Sequence, residues 1–210
     1  MTNDYDLDNA YEIKKPEDAK NLYDDWAETY DSSFAEDWGY VAPAAIAGIF
    51  KELAAPENSP ILDIGAGTGL VAAALDGMMV DGIDISAEML AIAASKGLYR
   101  NRYEADLTKP LALANGTYGG FVSCGTFTHG HVGPECLPEL LRVAKPGALF
   151  CCGTIPAVYD GAGFGSAFAR LVAAKRITPV DFREIGIYQD AGHDHAKDRG
   201  LVAVFRKQAG

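Results

Sequence analysis

The chain has 210 residues, 49% of them apolar, and 29 acidic against 18 basic side chains give it a net charge of −11. Nucleic acids bind clustered Lys and Arg, so this balance argues against a nucleic-acid partner. The sequence has no run of eighteen apolar residues to span a membrane, and its acidic N-terminus is unlike a signal peptide. We therefore expect a cytoplasmic protein with one domain over residues 16–210, preceded by a mobile segment over residues 1–15.

Two helices are predicted ahead of the first strand. Pro16 suits a first helical turn, and Leu22, Trp26 and Tyr30 follow at a spacing of four residues. The two predicted helices run over residues 16–30 and 41–53. Together they form an N-terminal helical cap over residues 16–55.

Short apolar runs then alternate with helical segments over residues 59–207. The predicted strands are Ile61–Ile64, Met78–Asp84, Tyr99–Ala105, Gly119–Cys124, Leu149–Cys152, Phe182–Gln189 and Leu201–Arg206. The predicted helices between them are Leu70–Leu75, a helix capped by Ser86 that ends at Ser95, and Pro134–Val143. This alternation predicts an α/β fold with a Rossmann-like, doubly wound, seven-stranded and mostly parallel sheet, covered by helices on both faces.

A glycine-rich loop follows the first predicted strand, and ligands of such sheets bind beyond the carboxyl ends of the strands. The loop reads Gly65-Ala66-Gly67-Thr68-Gly69. Glycines adopt positive φ and let the backbone approach a ligand, while the next helix offers free N–H groups. Glycine-rich turns also occur without ligands. Leu70 stands where a dinucleotide fingerprint has its third glycine, which argues against the alternative of a nicotinamide-dependent oxidoreductase.

Carboxylates follow the second and third predicted strands. Asp84 lies 21 residues beyond Asp63 and is predicted to accept hydrogen bonds from two ribose hydroxyls. The alternative is that Asp84 caps the following helix. Ile85 and Met89 are then expected beside an adenine ring.

The third loop suits the same purine base. Asp106 is predicted to accept a hydrogen bond from its exocyclic amine, and Leu107 to pack on the ring. The alternative is an ordinary aspartate in a turn at a strand end.

Four segments together resemble the class I S-adenosylmethionine-dependent methyltransferases, over a range from Leu22 to Lys207. They are Tyr23–Asp31, Leu62–Leu70, Gly82–Leu90 and Gly125–Gly133. Within that superfamily the chain looks most similar to bacterial relatives of the methyltransferase-like protein of the Williams–Beuren syndrome region. Many class I members carry an aspartate just before the fourth strand, where this chain has Gly119 and Gly120.

The resemblance implies S-adenosylmethionine as the cofactor and S-adenosylhomocysteine as its product. It places Tyr23 and Tyr30 over the amino-acid end of the cofactor, although Trp26 and Tyr30 are alternatively buried residues that hold the cap to the sheet. The predicted cofactor-binding residues are Tyr23, Tyr30, Asp63, Gly65, Ala66, Gly67, Asp84, Ile85, Met89, Asp106, Leu107 and Cys124.

The implied reaction transfers a methyl group to a small-molecule thiol, hydroxyl or amine. A general base helps only if the nucleophile arrives protonated. His129, after the fourth strand, is the first candidate for that base and His131 the second, although both alternatively orient the loop. The predicted substrate residues are Thr126, Thr128, His129 and Tyr159, the last in a flexible lid over residues 154–174.

The histidine pairs and the cysteines were also considered as metal-binding or redox sites. The pairs His129/His131 and His193/His195 have a spacing that suits a transition metal, but no cysteine stands at ligand spacing, and we expect no metal. The four cysteines form no C-x-x-C pair and are interpreted as buried, reduced thiols. A non-catalytic S-adenosylmethionine-binding module is the remaining alternative, and the oligomeric state is left open.

Overall fold

A seven-stranded sheet forms the centre of the computed structural model, which describes residues 16–36, 38–128, 132–189 and 197–209. The strands are β1 Ile61–Ile64, β2 Val80–Asp84, β3 Arg102–Glu104, β4 Tyr118–Phe127, β5 Ala144–Thr154, β6 Asp181–Gly186 and β7 Arg199–Arg206. Their order is β3-β2-β1-β4-β5-β7-β6, and only β7 runs antiparallel to its neighbours. The predicted doubly wound, mostly parallel sheet is confirmed. The expected mobile segment over residues 1–15 lies outside the described residues.

Helices cover both faces of the sheet. They are α1 Pro16–Trp26, a π-helical turn Tyr30–Glu36, α2 Ala42–Leu53, α3 Leu70–Ala74, α4 Ala87–Ser95, α5 Leu137–Val143, α6 Pro156–Gly161 and α7 Phe164–Ala173. Strand residues alternate between two core clusters because successive side chains point to opposite faces. Phe121 faces the cluster that contains helices α5 and α7, whereas Val122 faces the one that contains α2, α3 and α4. Within the described residues no helix has the length and hydrophobicity needed to cross a membrane.

The first predicted helix is shorter than the spacing indicated. It ends at Trp26, where the amide of Thr29 bonds to the Trp26 carbonyl in a turn, and a separate π-helical turn begins at Tyr30. Trp26 is only 2% exposed, and Tyr30 packs against the same aromatic cluster as Trp26 and Tyr188. The spacing of four therefore marks residues that share this cluster, although the helix itself ends before Tyr30.

The predicted helix over Pro134–Val143 is also divided. Residues Pro134–Cys136 form a 3-10 turn, and α5 begins after it. Pro138 lies in the first turn of α5, the position where a residue without an N–H is tolerated.

The expectation of a flexible lid over residues 154–174 is wrong. This segment forms helices α6 and α7, separated by Gly163 at φ 83°. Phe164 and Phe168 are buried, and their ring centroids lie 5.5 Å from Phe127 and 5.2 Å from Phe205 respectively. The aromatic side chains therefore hold this segment on the sheet.

The two glycines that replace the usual aspartate of β4 have a steric reason. A Cβ on Gly119 would lie 2.2 Å from the carbonyl oxygen of Glu57, and one on Gly120 would lie 2.5 Å from the ring of Phe50. The turn before β1 passes too close to β4 for any side chain here. Glycine at both positions thus follows from local packing.

Candidate functional site

A cavity with about 910 Å³ of empty space, called here the first cavity, opens at the carboxyl edge of the sheet. Loops after β1, β2, β3 and β4 form its floor, and the helical cap forms its roof. All of the predicted cofactor-binding residues except Asp63 line it. Residues that line it without having been predicted include Tyr40, Pro43, Thr68, Val71 and Val132.

The glycine-rich turn brings its backbone to the floor of this cavity. Gly65 and Gly67 have φ angles of 67° and 49°, which favour glycine. A Cβ on Gly65 would overlap the Oγ1 atom of Thr126 at 1.9 Å, whereas a Cβ on Gly67 would meet no atom within 4 Å. The open side of Gly67 leaves room for a ligand to approach the backbone directly.

Asp84, at the end of β2, faces the cavity with a fixed carboxylate. Its Oδ2 atom accepts a hydrogen bond from the amide of Gly67 at 2.8 Å, and its Oδ1 atom accepts one from the amide of Ser86 at 2.9 Å. The predicted cap of α4 is confirmed, since Ser86 Oγ accepts a hydrogen bond from the amide of Met89 at 3.1 Å. Ser86, and not Asp84, is therefore the capping residue. Burial raises the pKa of Asp84 above its ordinary value.

Asp63 lies behind the glycine-rich turn and not in the cavity lining. It is 1% exposed, and its Oδ2 atom accepts a hydrogen bond from the hydroxyl of Tyr99 at 2.7 Å. Its Oδ1 atom has no partner among the described residues. Burial raises the pKa of Asp63 to about 8. Asp63, which was predicted to bind the cofactor, therefore lies behind the wall of the first cavity and does not line it.

Three apolar side chains that follow β2 and β3 line one part of the first cavity, called here the apolar pocket. They are Ile85, Met89 and Leu107. Asp106 lines it as well, but the Oδ1 atom also accepts hydrogen bonds from the amide and hydroxyl of Thr108, at 2.8 and 2.6 Å. Asp106 thus has both features anticipated for it, a position in the cavity and a place in a strand-end turn.

The cap contributes three tyrosines to the first cavity, Tyr23, Tyr30 and Tyr40. Trp26 is instead buried beneath them, with its ring centroid 5.0 Å from that of Tyr30, which confirms the structural alternative for Trp26. The hydroxyl of Tyr40 lies 3.0 Å from Sγ of Cys124. Sequence reasoning missed Tyr40 because contacts with residues distant in the chain, including a bridge to Tyr188, bring it to this edge.

A second cavity, with about 710 Å³ of empty space, adjoins the first. The two share five wall residues, namely Tyr23, Tyr30, Tyr40, Cys124 and Gly125. The remaining walls of the second cavity come from α2 and from the region of β5, β6 and β7, and they include Ile46, Thr154, Ile185, Ile187 and Leu201.

The predicted substrate residues are not brought together. Thr128 lines the second cavity, whereas Thr126 lines the first and donates a hydrogen bond to the carbonyl of Ile64 at 2.8 Å. Tyr159 lines neither cavity. Its ring packs against Phe164 and Phe182 instead, because the segment that carries it is helical and joined to the core. The structure therefore removes Tyr159 from the site.

The four histidines lie outside the described residues, so the predicted bases His129 and His131 have no described position. The same holds for His193 and His195. Within the described ranges no three side chains of the metal-ligating types come together.

Comparison with known proteins identifies the domain type. Residues 62–152 match a family model described as a methyltransferase domain. Human methyltransferase-like protein 27 is 37% identical over 140 residues, which are 64% of this chain and 56% of the relative. The chain thus spans little more than half the length of this curated relative.

Solved structures match nearly the whole chain. The [4+2]-cyclase SpnF has a TM-score of 0.68 and 18% identity, over 94% of this chain and 98% of the cyclase. An S-adenosylmethionine-dependent methyltransferase of Thermotoga maritima, described as a possible histamine N-methyltransferase, has a TM-score of 0.64 and 14% identity, over 90% and 99%. The fold is that of the S-adenosylmethionine-dependent methyltransferases. The domain match and these structures are consistent in pointing to S-adenosylmethionine as the cofactor.

The first cavity fits that methyltransferase cofactor. S-adenosylmethionine is a linear molecule whose adenine, ribose and methionine parts follow one another. Leu107 after β3, the Asp84 carboxylate at the end of β2 and the open backbone of Gly67 after β1 lie in the corresponding order, because the strand order begins β3-β2-β1. The donor groups also match, since a carboxylate accepts hydrogen bonds from hydroxyls and apolar side chains enclose a flat ring.

Proposed function

We propose that the protein transfers the methyl group of S-adenosylmethionine to a small-molecule acceptor. The observation that carries this proposal is the order of an apolar pocket, a carboxylate and an exposed glycine backbone along one open cavity. That order corresponds to a single extended ligand. The methyltransferase domain match and the fold support the same conclusion.

The residues of the first cavity receive specific roles in this proposal. Asp84 accepts hydrogen bonds from the ribose hydroxyls, and its orientation is set in advance by the amides of Gly67 and Ser86. Leu107 packs on the adenine ring, and the carboxylate of Asp106 accepts a hydrogen bond from the exocyclic amine with a lone pair that Thr108 does not use.

The methionine part lies on the open face of Gly67, below Tyr23 and Tyr30 of the cap. Cys124 stands at the junction of the two cavities, where this arrangement would present the methyl group to an acceptor. The cap and the sheet would hold the reacting groups side by side, and such proximity supplies much of the acceleration in a transfer between two bound molecules.

Two finer statements belong to the proposal. We propose that the chain is among the bacterial relatives of the methyltransferase-like protein of the Williams–Beuren syndrome region, for which the match to a human methyltransferase-like protein is the support. A cytoplasmic location is supported by the four free cysteines, three of them buried, since reducing compartments keep thiols unpaired. His129 and His131 enter the mechanism as bases only for an acceptor that arrives protonated.

Titration calorimetry with S-adenosylmethionine, S-adenosylhomocysteine and NADH tests the cofactor assignment. Saturable binding of the first two and none of NADH is expected, and the reverse result overturns it. A screen of thiols, hydroxyls and amines, with detection of S-adenosylhomocysteine by mass spectrometry, tests the reaction. Cofactor binding without turnover on any acceptor would contradict methyl transfer and favour a non-catalytic module or another chemistry, as the cyclase with the same fold illustrates.

A further inference from the structure

The loop between β3 and β4 carries both residues that the proposed function assigns to the adenine ring, Asp106 and Leu107. This loop, residues 105–117, contains no helix or strand. Its backbone N–H and C=O groups therefore find their partners outside a regular ladder, and such a loop is mobile unless other elements hold it. What holds this loop decides how firmly the adenine-binding residues are placed.

Arg142, on helix α5, holds the second half of the loop. Its Nη1 atom donates to the carbonyl of Leu113 at 2.8 Å and to Oδ1 of Asn115 at 2.5 Å. Its Nη2 atom donates to the carbonyl of Leu111 at 3.0 Å. The carboxylate of Glu139, one turn earlier on α5, accepts from Nη2 at 2.6 Å and from Nε at 2.9 Å. These bonds use all the N–H groups of the guanidinium, so Arg142 is fully engaged in joining the loop to α5.

Leu111 is anchored through its amide, its carbonyl and its side chain. The amide donates to Oε1 of Glu139 at 2.7 Å, while the carbonyl accepts from Arg142. The side chain is buried in the same core cluster as that of Leu107. The hydrogen bonds from Arg142 and from the Leu111 amide lower the pKa of Glu139 to about 2, so this carboxylate stays charged and paired near neutral pH.

A groove with about 560 Å³ of empty space adjoins the stretch between the adenine-binding residues and this anchor. Residues 107–110 line it, together with Glu139 and Arg142 of α5. Leu107 lines both this groove and the first cavity. The stretch thus has open space beside it, and release of the anchor at Leu111 would let Leu107 and the adjoining Asp106 move out of place.

We propose that Arg142 and Glu139 are positioning residues that make the cofactor site selective for adenine, an inference that rests on the cofactor role proposed above. Neither side chain lines the first cavity, so both act through the loop that they hold. A hydrogen bond weakens steeply when its geometry is poor, and recognition of the exocyclic amine depends on one such bond to Asp106. A loop that is free to shift still encloses a flat ring with apolar side chains, but it no longer recognises the amine.

Two ligands that differ only in the exocyclic amine test this inference. They are S-adenosylhomocysteine and its purine analogue, in which a hydrogen atom replaces the amine, and titration calorimetry measures both affinities. The wild type is expected to prefer S-adenosylhomocysteine by about 10-fold or more, as a hydrogen bond to a carboxylate implies.

Arg142→Met is expected to lower this preference to about 3-fold or less, because the bond to the amine loses its geometry. The ratio of the two affinities is the decisive readout, since a general loss of stability weakens the binding of both ligands alike. A preference equal to that of the wild type in Arg142→Met therefore overturns the inference, even if both ligands bind more weakly.

Arg206→Met is the matched control. Arg206 is half-buried like Arg142 and also donates to backbone carbonyls, those of Gly147 at 3.2 Å and Leu53 at 2.8 Å, but it does not line the first cavity. This variant is expected to lose stability and to keep the wild-type preference. Equal losses of preference in both variants would indicate a general loosening of the fold and would overturn the inference.

Arg142→Lys serves if Arg142→Met does not fold. It keeps the positive charge, but an ammonium group cannot reproduce the bonds of the planar guanidinium, so the preference is expected to fall to about half of the wild-type value or less. A wild-type preference in the folded Arg142→Lys protein overturns the inference.

The wild type alone separates this inference from the proposed function. Equal binding of both ligands would remove the role of Asp106 and overturn the inference, while methyl transfer from S-adenosylmethionine would stand. Binding of neither ligand would contradict the cofactor assignment itself, and the inference with it.

Discussion

The backbone amide of Gly67 donates a 2.8 Å hydrogen bond to Oδ2 of Asp84 and so joins the glycine-rich turn after β1 to the end of β2. The same carboxylate also accepts a hydrogen bond from the amide of Ser86. Each carboxylate oxygen has a further lone pair, and the side chain lines the first cavity. Asp84 is therefore oriented for a ligand hydroxyl by contacts that exist without the ligand.

Asp84→Ala is expected to weaken binding of S-adenosylmethionine by about 1–3 kcal/mol, because two amides and the ribose hydroxyls lose their acceptor. Titration calorimetry measures this change. Asp76→Ala, which removes an exposed carboxylate outside the cavity, should leave the affinity unchanged. Wild-type affinity in Asp84→Ala would remove this residue from the cofactor site.

Gly65 and Gly67 offer a matched pair for the steric role of the turn. Both have positive φ, so an alanine at either position adds backbone strain of about 1–2 kcal/mol. Only at Gly65 does the new Cβ also overlap Thr126, at 1.9 Å. We expect Gly65→Ala to lower the free energy of unfolding clearly more than Gly67→Ala, as measured by urea denaturation without ligand.

The same pair should behave differently in ligand binding. Gly67 lines the first cavity and a Cβ on it would meet no protein atom within 4 Å, so we expect Gly67→Ala to reduce cofactor affinity despite its smaller effect on stability. An affinity equal to that of the wild type would show that no ligand approaches this backbone.

Local patterns predicted the type of sheet and the loops of the cavity floor well. The apolar run at Ile61–Ile64 and the helix cap at Ser86 are properties of short segments, and both appear as predicted. Asp84 and Asp106 were found because the carboxyl ends of parallel strands meet at one edge of a sheet. Such signals depend on spacing within a few residues, which a single sequence displays.

Residues that depend on long-range packing were not predictable in this way. Tyr40 reaches the site through its bridge to Tyr188, almost 150 residues away in the chain, and nothing near it in sequence indicates that contact. Tyr159 was assigned to the acceptor as part of a lid, yet it lies in helix α6 and its ring packs against Phe164 and Phe182, away from both cavities. In both cases tertiary contacts determine the position.

A cluster of three residues ties the helical cap to the floor of the first cavity. Asp31, in the π-helical turn, accepts hydrogen bonds from the hydroxyl of Thr68 at 2.6 Å and from Nζ of Lys96. Lys96 also donates to the carbonyl of Thr68 at 2.8 Å. The Lys96 and Asp31 side chains are 30% and 32% exposed, so salt screens this ion pair partly.

Lys96→Met is therefore expected to loosen the cap and to speed release of S-adenosylhomocysteine by about 3- to 10-fold at low salt, in line with an ion pair of roughly 1 kcal/mol. Stopped-flow tryptophan fluorescence measures this rate, since Trp26 lies within the cap. The difference from the wild type should shrink in high salt. Lys51→Met, at an exposed position of α2, is the control, and an equal acceleration in both variants would exclude a specific role for the cluster.

Asp63 is expected to make stability fall as pH rises. Its pKa is raised to about 8 in the folded protein, against about 3.9 for an aspartate in an unfolded chain. The folded state thus keeps a proton that the unfolded state releases. The stability from this proton is complete below about pH 4 and is lost as pH rises toward about 8.

Asp63→Asn cannot ionise and keeps an oxygen to accept the hydrogen bond of Tyr99. The free energy of unfolding is measured in urea without ligand for the variant and for the wild type. As pH rises from about 5 to about 8, the value for the variant should increase relative to that of the wild type by a few kcal/mol in total. Asp76→Asn, at an exposed position, should show no such trend. A difference between Asp63→Asn and wild type that stays constant over this range would mean that Asp63 is already ionised at the lower pH, in spite of its buried position and the unpartnered Oδ1 atom.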